Sequence, residues 1–96
     1  MKPTHIRTAA KRFDGQGRHA GPGPWLDLIH EANRIAPGMF GEPASSGPWW
    51  AGGFAEEYPD ARVIFRRDED PESVSVISKT DRGAEILSAA AEKLGL

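Results

Sequence analysis

Apolar residues recur along this chain with two different periods. From Trp25 they fall at 25, 28, 29, 32, 35 and 36, the spacing of one helical face. Asp27, Glu31 and Arg34 take the other side, with the acids toward the N-terminus, where the helix dipole favours them. Pro24 stands where a first helical residue belongs, and Pro37 with Gly38 ends the run, so the pattern predicts a helix over 24–36. Gly83, Leu87, Ala90, Ala91 and Leu94 share a second such face, with Ile86 at its margin, which predicts a helix over 82–94. Thr80 or Asp81 can cap its start, and Gly95 with Leu96 can close it in a Schellman end. A shorter stripe of Ile6, Ala9, Ala10 and Phe13 predicts a helical piece within 4–13, with Thr4 as its cap.

The second period is two. Ala61-Arg-Val-Ile-Phe-Arg-Arg67 places Val63 and Phe65 on one face and Arg62, Ile64 and Arg66 on the other. Ser73-Val-Ser-Val-Ile-Ser78 alternates again, and the polar stretch Asp68-Glu-Asp-Pro-Glu72 between them suits an antiparallel hairpin. The expected core is Val63, Phe65, Val74, Val76, Leu28, Ile29, Ile35, Leu87 and Leu94. These elements predict an α+β fold: a small antiparallel hairpin or sheet packed with two to three helices, and a long Gly/Pro-rich loop over 37–53. One domain is expected over 1–96, with 1–23 as an N-terminal arm and linker and 24–96 as the body.

Composition narrows the picture. Eleven glycines and eight prolines make up about a fifth of the 96 residues, against roughly 12% in average usage. Apolar residues reach only 39%, so the core is thin for its length. A domain this lean completes its burial readily by joining other subunits. With no cysteine, neither disulfides nor thiolate metal sites are available. No apolar run approaches the roughly 18 residues needed to cross a bilayer, and no signal-peptide hydrophobic region follows the start, so no membrane role and no secretion by a signal peptide are expected. Charge is unevenly spread. Residues 1–19 carry Lys2, Arg7, Lys11, Arg12 and Arg18 against Asp14 alone, whereas the remainder holds seven basic and thirteen acidic residues. A basic arm on an acidic body can seek phosphate or an acidic protein surface, or fold onto its own body or another copy.

Candidate chemistry is sparse. Gly15-Gln-Gly17-Arg-His-Ala-Gly21 has the wrong spacing for a nucleotide-binding loop, and no strand is expected before it, so it reads as a flexible linker. His30-Glu31 resembles the start of a zinc-protease helix, but Arg34 stands where the second histidine is needed. Asp68, Glu69, Asp70 and Glu72 lack the glycine of a calcium loop and read as a solvated hairpin tip. Ser45-Ser46-Gly47 is not a nucleophile elbow, because Pro43 replaces its first glycine. No catalytic residue, metal ligand or cofactor site is assigned, and the expectation is a protein that is not an enzyme.

The sharp signal is Trp49 beside Trp50, in a segment that also holds Met39 and Phe40. Adjacent residues of an extended chain point in different directions, so one indole can plug the core while the other stays half exposed. Alternatively, at least one is an interface anchor, a role tryptophan fills at little entropic cost. Met39, Phe40, Trp49 and Trp50 are therefore the expected protein-interface residues, and Lys2, Arg7, Lys11, Arg12 and Arg18 the expected contacts of the basic arm. Stacking on single-stranded nucleic acid would want cations interleaved with the aromatics, and residues 37–61 contain none, so nucleic acid is not the expected partner.

The order of helix, long Gly/Pro loop, hairpin and C-terminal helix resembles the head–tail connector and tail-completion proteins of siphophages. The likeness lies in the Arg-rich strand from Ala61, in Ser73-Val-Ser-Val-Ile-Ser78, in the Thr80-x-x-Gly-Ala84 turn with its Ala-rich closing helix, and in Glu31-Ala-Asn-Arg-Ile-Ala-Pro37. It covers about half the chain. The resemblance implies a ring-forming structural protein of the virion neck whose loops and termini lace subunits together. Its partners would be copies of itself and the portal, adaptor or tail proteins, and its location the virion or the host cytoplasm. The alternative expectation is a small inhibitory or immunity-type protein that binds one specific host or toxin protein, a task suited to an acidic body with an exposed indole.

Overall fold

Val63 lies opposite Val76, and Phe65 opposite Val74, in the antiparallel pairing of two strands that the alternation places together. The computed structural model describes residues 3–68 and 71–96, and in it that pair is the centre of a five-stranded antiparallel sheet. In chain order the elements are β1 (His5–Ala9), β2 (Lys11–Phe13), β3 (His19–Pro22), α1 (Pro24–Ile35), β4 (Ser45–Pro48), a 3-10 turn (Trp50–Gly52), β5 (Phe54–Glu57), β6 (Ala61–Arg66), β7 (Ser73–Ser78) and α2 (Asp81–Leu94). The sheet order is β1-β7-β6-β5-β4, and β2 with β3 forms a separate hairpin. The fold is α+β.

Both helices cover one face of the sheet. Leu28 and Ala32 of α1 and Ile86, Leu87, Ala90 and Ala91 of α2 share a core with Ala61, Val63, Val74 and Val76. Thr80 caps α2 by accepting the Gly83 N–H at 3.0 Å. Gly95 closes the helix in the left-handed region (φ 72°), and the Leu96 N–H reaches back to the Ala91 carbonyl at 2.9 Å, the signature bond of a Schellman end. Gly83 itself cannot carry a side chain, because a Cβ there would sit 2.1 Å from the Asp60 carbonyl oxygen. Among the described residues no helix packs on the other sheet face. Its register lines up Arg7, Ser75, Ile64 and Ala55 across four strands. Ile64 and Ser75 are nonetheless buried, and the Ser75 hydroxyl has no hydrogen-bond partner among the described residues.

Four expectations need correction. Residues 4–13 are not helical: β1 pairs with β7 from His5↔Ile77 to Ala9↔Ser73. Ile6, Thr8 and Ala10 alternate inward as well as the helical stripe does, and covering the open edge of β7 outweighs a weak local preference. Residues 14–23 are not merely a linker, since Asp14 folds the chain back: its Oδ1 accepts the Gln16 and Arg18 N–H groups at 2.8 and 3.0 Å and sets the turn between β2 and β3. The 37–53 segment contains β4 and a structured turn, because an edge strand buried on neither face needs no apolar alternation. Finally, Ile35 and Leu94, expected in the core, are 39% and 38% exposed at the last turns of their helices. Ile29 and Phe65 pack against the core as partly buried residues.

Candidate functional site

One end of the sheet gathers most of the exposed aromatic surface. There β4 and β5 form a hairpin whose last pair is Pro48↔Phe54. The five residues between them are fixed by two backbone bonds, Trp49 N–H to the Gly53 carbonyl (3.0 Å) and Gly53 N–H to the Trp50 carbonyl (2.9 Å). Gly52 supplies the positive φ the turn needs (82°), and a Cβ on Gly53 would meet the Phe65 carbonyl oxygen at 2.6 Å, so the turn lies tightly on β6. Trp50 rides at the tip of this braced turn, 75% exposed, while Trp49 is half-buried.

Beside the turn, on the face that carries the helices, the sheet outruns its helical cover. Phe54 of β5 and Phe65 of β6 are opposite each other, with ring centroids 6.5 Å apart. Trp25, at the start of α1, meets Phe65 edge-on at 5.2 Å. Its indole N–H donates to the Ala10 carbonyl at 2.9 Å, and its backbone N–H donates to the Thr8 hydroxyl at 3.0 Å, so the ring is locked to β1. These three rings floor an open cleft of about 400 Å³. Lys11, Arg67, Glu56 and Glu72 stand around it, with Ala10 and Val74 adding apolar wall. A second hollow of about 300 Å³, under Phe13 and Pro71, shares Lys11 and Glu72 with the first.

The charges around this end are mostly committed. Arg66 hydrogen-bonds Asp68 and holds its carboxyl below the usual range, with Arg7 contributing to the field. Arg12 pairs with Asp27 at 3.3 Å. Arg18 pairs with Asp14, whose carboxyl is lowered first by the backbone N–H groups of Arg18 and Gln16. Farther off, Lys79 and then Arg62 lower Glu57, and Asp60 takes Arg82. Glu56 accepts the Tyr58 hydroxyl at 2.5 Å, and burial followed by that carboxylate pushes the phenol upward, so Tyr58 remains a donor.

The structure redistributes the expected interface residues. Met39 and Phe40 lie in the chain's own core, 5% and 7% exposed. The Phe40 N–H is bonded to Asn33 Oδ1 at 2.7 Å, and its ring meets Tyr58 at 5.1 Å. Pro37 and Gly38 turn the chain back under α1 at once, which the loop composition did not reveal. Of the basic residues, Arg12 and Arg18 are engaged within or next to the β2–β3 hairpin, Arg7 belongs to β1 on the helix-free face, Lys11 lines the cleft, and Lys2 lies outside the described residues. Trp25, Phe54, Phe65 and Arg67 carry no site signal in the sequence. Trp25 and Phe65 read as core from their periodicity, and Phe54 follows two glycines with no pattern of its own.

Among the described residues no group of three His, Cys, Asp or Glu side chains can hold a metal ion, and no helix is long and apolar enough to cross a membrane. The cleft combines ring faces and apolar wall with the charged side chains of Lys11, Arg67, Glu56 and Glu72. No family model, curated protein or solved structure matches the chain.

Proposed function

We propose that this protein is a non-enzymatic structural or adaptor module that works by protein–protein contact, and that it acts as a head–tail connector or tail-completion component of a phage neck. The carrying observation is Trp50, an indole 75% exposed on a turn braced by its own hydrogen bonds. An exposed tryptophan forgoes about 2–3 kcal/mol of apolar transfer, and a rigid turn loses little entropy when it docks. Phe54, at the start of the strand that follows the turn, is 41% exposed, and Phe13 of the β2–β3 hairpin is 54% exposed.

A ring requires two different faces on each subunit, since a head-to-tail contact joins unlike patches. The exposed large hydrophobics fall into two sets that suit this need. One is aromatic, Trp50, Phe54 and Phe13; the other is Ile35, Leu94 and Leu96 at the C-terminal ends of the helices, where Lys93 pairs with Glu31 at 3.1 Å. The partners of such a ring are further copies of the chain and the neighbouring portal, adaptor or tail proteins.

Light scattering after size exclusion tests this reading on the wild-type chain and on Trp50→Ala. The expected result is a wild-type assembly that grows with concentration and a variant shifted to monomer, with thermal unfolding of the subunit unchanged. A wild-type chain that stays monomeric at high concentration, and also in the presence of portal and tail proteins, overturns it. A single stoichiometric complex with one toxin or host protein, without self-assembly, replaces it with the inhibitory or immunity-type alternative.

A further inference from the structure

Among the described residues, Lys11 and Arg67 are the two Lys or Arg side chains that make no ion pair or side-chain hydrogen bond. Arg12, Arg18, Arg34, Arg62, Arg66 and Arg82 each have a carboxylate partner, as do Lys79 and Lys93, and Arg7 is also engaged. The two uncommitted cations line one cleft, the same one that Trp25, Phe54 and Phe65 floor. A surface that has otherwise matched its cations to acids leaves positive charge open where it also leaves aromatic surface open.

We infer that this cleft is a docking site for an acidic–aromatic peptide: a segment of a partner protein with a phenylalanine-like side chain flanked by carboxylates. The ring of the anchor lies against Phe54, Phe65 and Trp25, whose own contacts at 5.2 and 6.5 Å show the edge-on and tilted geometry a further ring would extend. The flanking carboxylates face Lys11 and Arg67. Glu56 and Glu72 also border the cleft as anions, Glu56 while accepting the Tyr58 hydroxyl, so the peptide carboxylates are drawn to Lys11 and Arg67 and kept off the two acids. The neighbouring hollow beneath Phe13 and Pro71 continues past Lys11 and gives room for the chain beyond the anchor. The occupant is a peptide of another protein because no exposed aromatic on this chain has an acid beside it in sequence apart from Phe13, which is fixed in the β2–β3 hairpin with Asp14 already bonded to Arg18.

This inference rests on the protein-docking reading above, yet the two can fail separately, since Trp50 lies outside the cleft lining. The probes are three capped pentapeptides: Ac-Gly-Asp-Phe-Glu-Gly-NH2, its amide isostere Ac-Gly-Asn-Phe-Gln-Gly-NH2, and Ac-Gly-Asp-Ala-Glu-Gly-NH2. Each is titrated into the 15N-labelled full chain and followed by amide and indole chemical shifts. The acidic phenylalanine peptide is expected to shift Trp25 Nε1–H and the amides of Phe54 and Phe65, with the isostere several-fold weaker and the alanine peptide without effect. Lys11→Gln combined with Arg67→Gln should weaken the acidic peptide by about tenfold, the scale of two exposed charge pairs, and leave the isostere's affinity unchanged. Trp50→Ala should leave all three titrations as they are, whatever it does to assembly. Absence of cleft shifts at millimolar peptide overturns the inference, as does equal affinity for the acidic peptide and its isostere. Tighter, salt-sensitive binding of a decathymidylate at the same residues would assign the cleft to nucleic acid instead.

Discussion

Trp50 and Phe40 show how different two aromatic residues of one Gly/Pro-rich segment can be. Phe40 is 7% exposed against Tyr58 and α1, so Phe40→Ala removes a ring from a thin core and should cost about 3–5 kcal/mol of stability. Trp50→Ala, at a site with little to lose, should stay within about 0.5 kcal/mol. Chemical denaturation of the two variants separates a core residue from an exposed one. Glu31 gives the pH test at this scale. Its hydrogen bond from Arg34, with support from Lys93, holds its carboxyl down to about 2 against an ordinary 4.5. A depressed folded-state value means that the stabilisation is complete above the unfolded value and is lost as pH falls. The stability advantage of wild type over Glu31→Gln should therefore be full above about pH 5, shrink below 4.5 and vanish only below about 2, as read from melting temperatures across that range.

Among the elements, α1 has an unusual start. Gly23 occupies its N-cap and offers no side-chain bond, and the Trp25 N–H is taken instead by the Thr8 hydroxyl from β1. A strand far away in sequence thus does the work of a local cap. Thr8→Val keeps the β-branched shape but removes the acceptor, and should cost about 1 kcal/mol; a fully neutral result in thermal unfolding would mean that water replaces the bond without loss. The sheet edges are managed unequally. The Trp49–Gly53 bond sets the parity of the β4–β5 ladder, which turns Ser46 and Pro48 outward. Pro48 has no N–H to offer there, so this edge is a poor template for another strand. On β1 the bonds of Ala10 to Glu72 and of Ser78 to Thr4 set the opposite edge, and His5 and Arg7 turn their backbone groups outward.

For the whole molecule, the N-terminal segment is structural. Residues 5–9 complete the sheet, Ala10 accepts from both the Gly23 N–H and the Trp25 indole, and a Cβ on Gly23 would lie 1.8 Å from the Ala9 carbonyl oxygen. Deleting residues 1–10 should therefore abolish cooperative unfolding, as followed by circular dichroism, where removal of a free arm would leave the transition intact. The same attachment brings Lys11 beside the aromatic cleft. A segment that carries much of the positive charge thus serves the fold first and the surface second.

Elements whose signal is local and long are legible in the amino-acid order alone. The 24–36 and 82–94 helical faces, their proline, threonine and glycine ends, and the two central strands with Val63, Val74 and Val76 inward all follow from period and capping chemistry. The same order also marks the indole pair, because two tryptophans amid glycine and proline have no regular element to hide in. The rest depends on contacts between segments distant along the chain. Residues 5–9 become a strand because β7 offers an unpaired edge, a preference no local window contains. Met39 and Phe40 go inside because Tyr58, about twenty residues away, waits there to be covered. The cleft needs Lys11, Trp25, Phe54 and Arg67 from four separate segments, so no spacing along the chain can announce it. Backbone preference is written residue by residue, whereas burial and charge pairing depend on which surfaces the folded chain brings face to face.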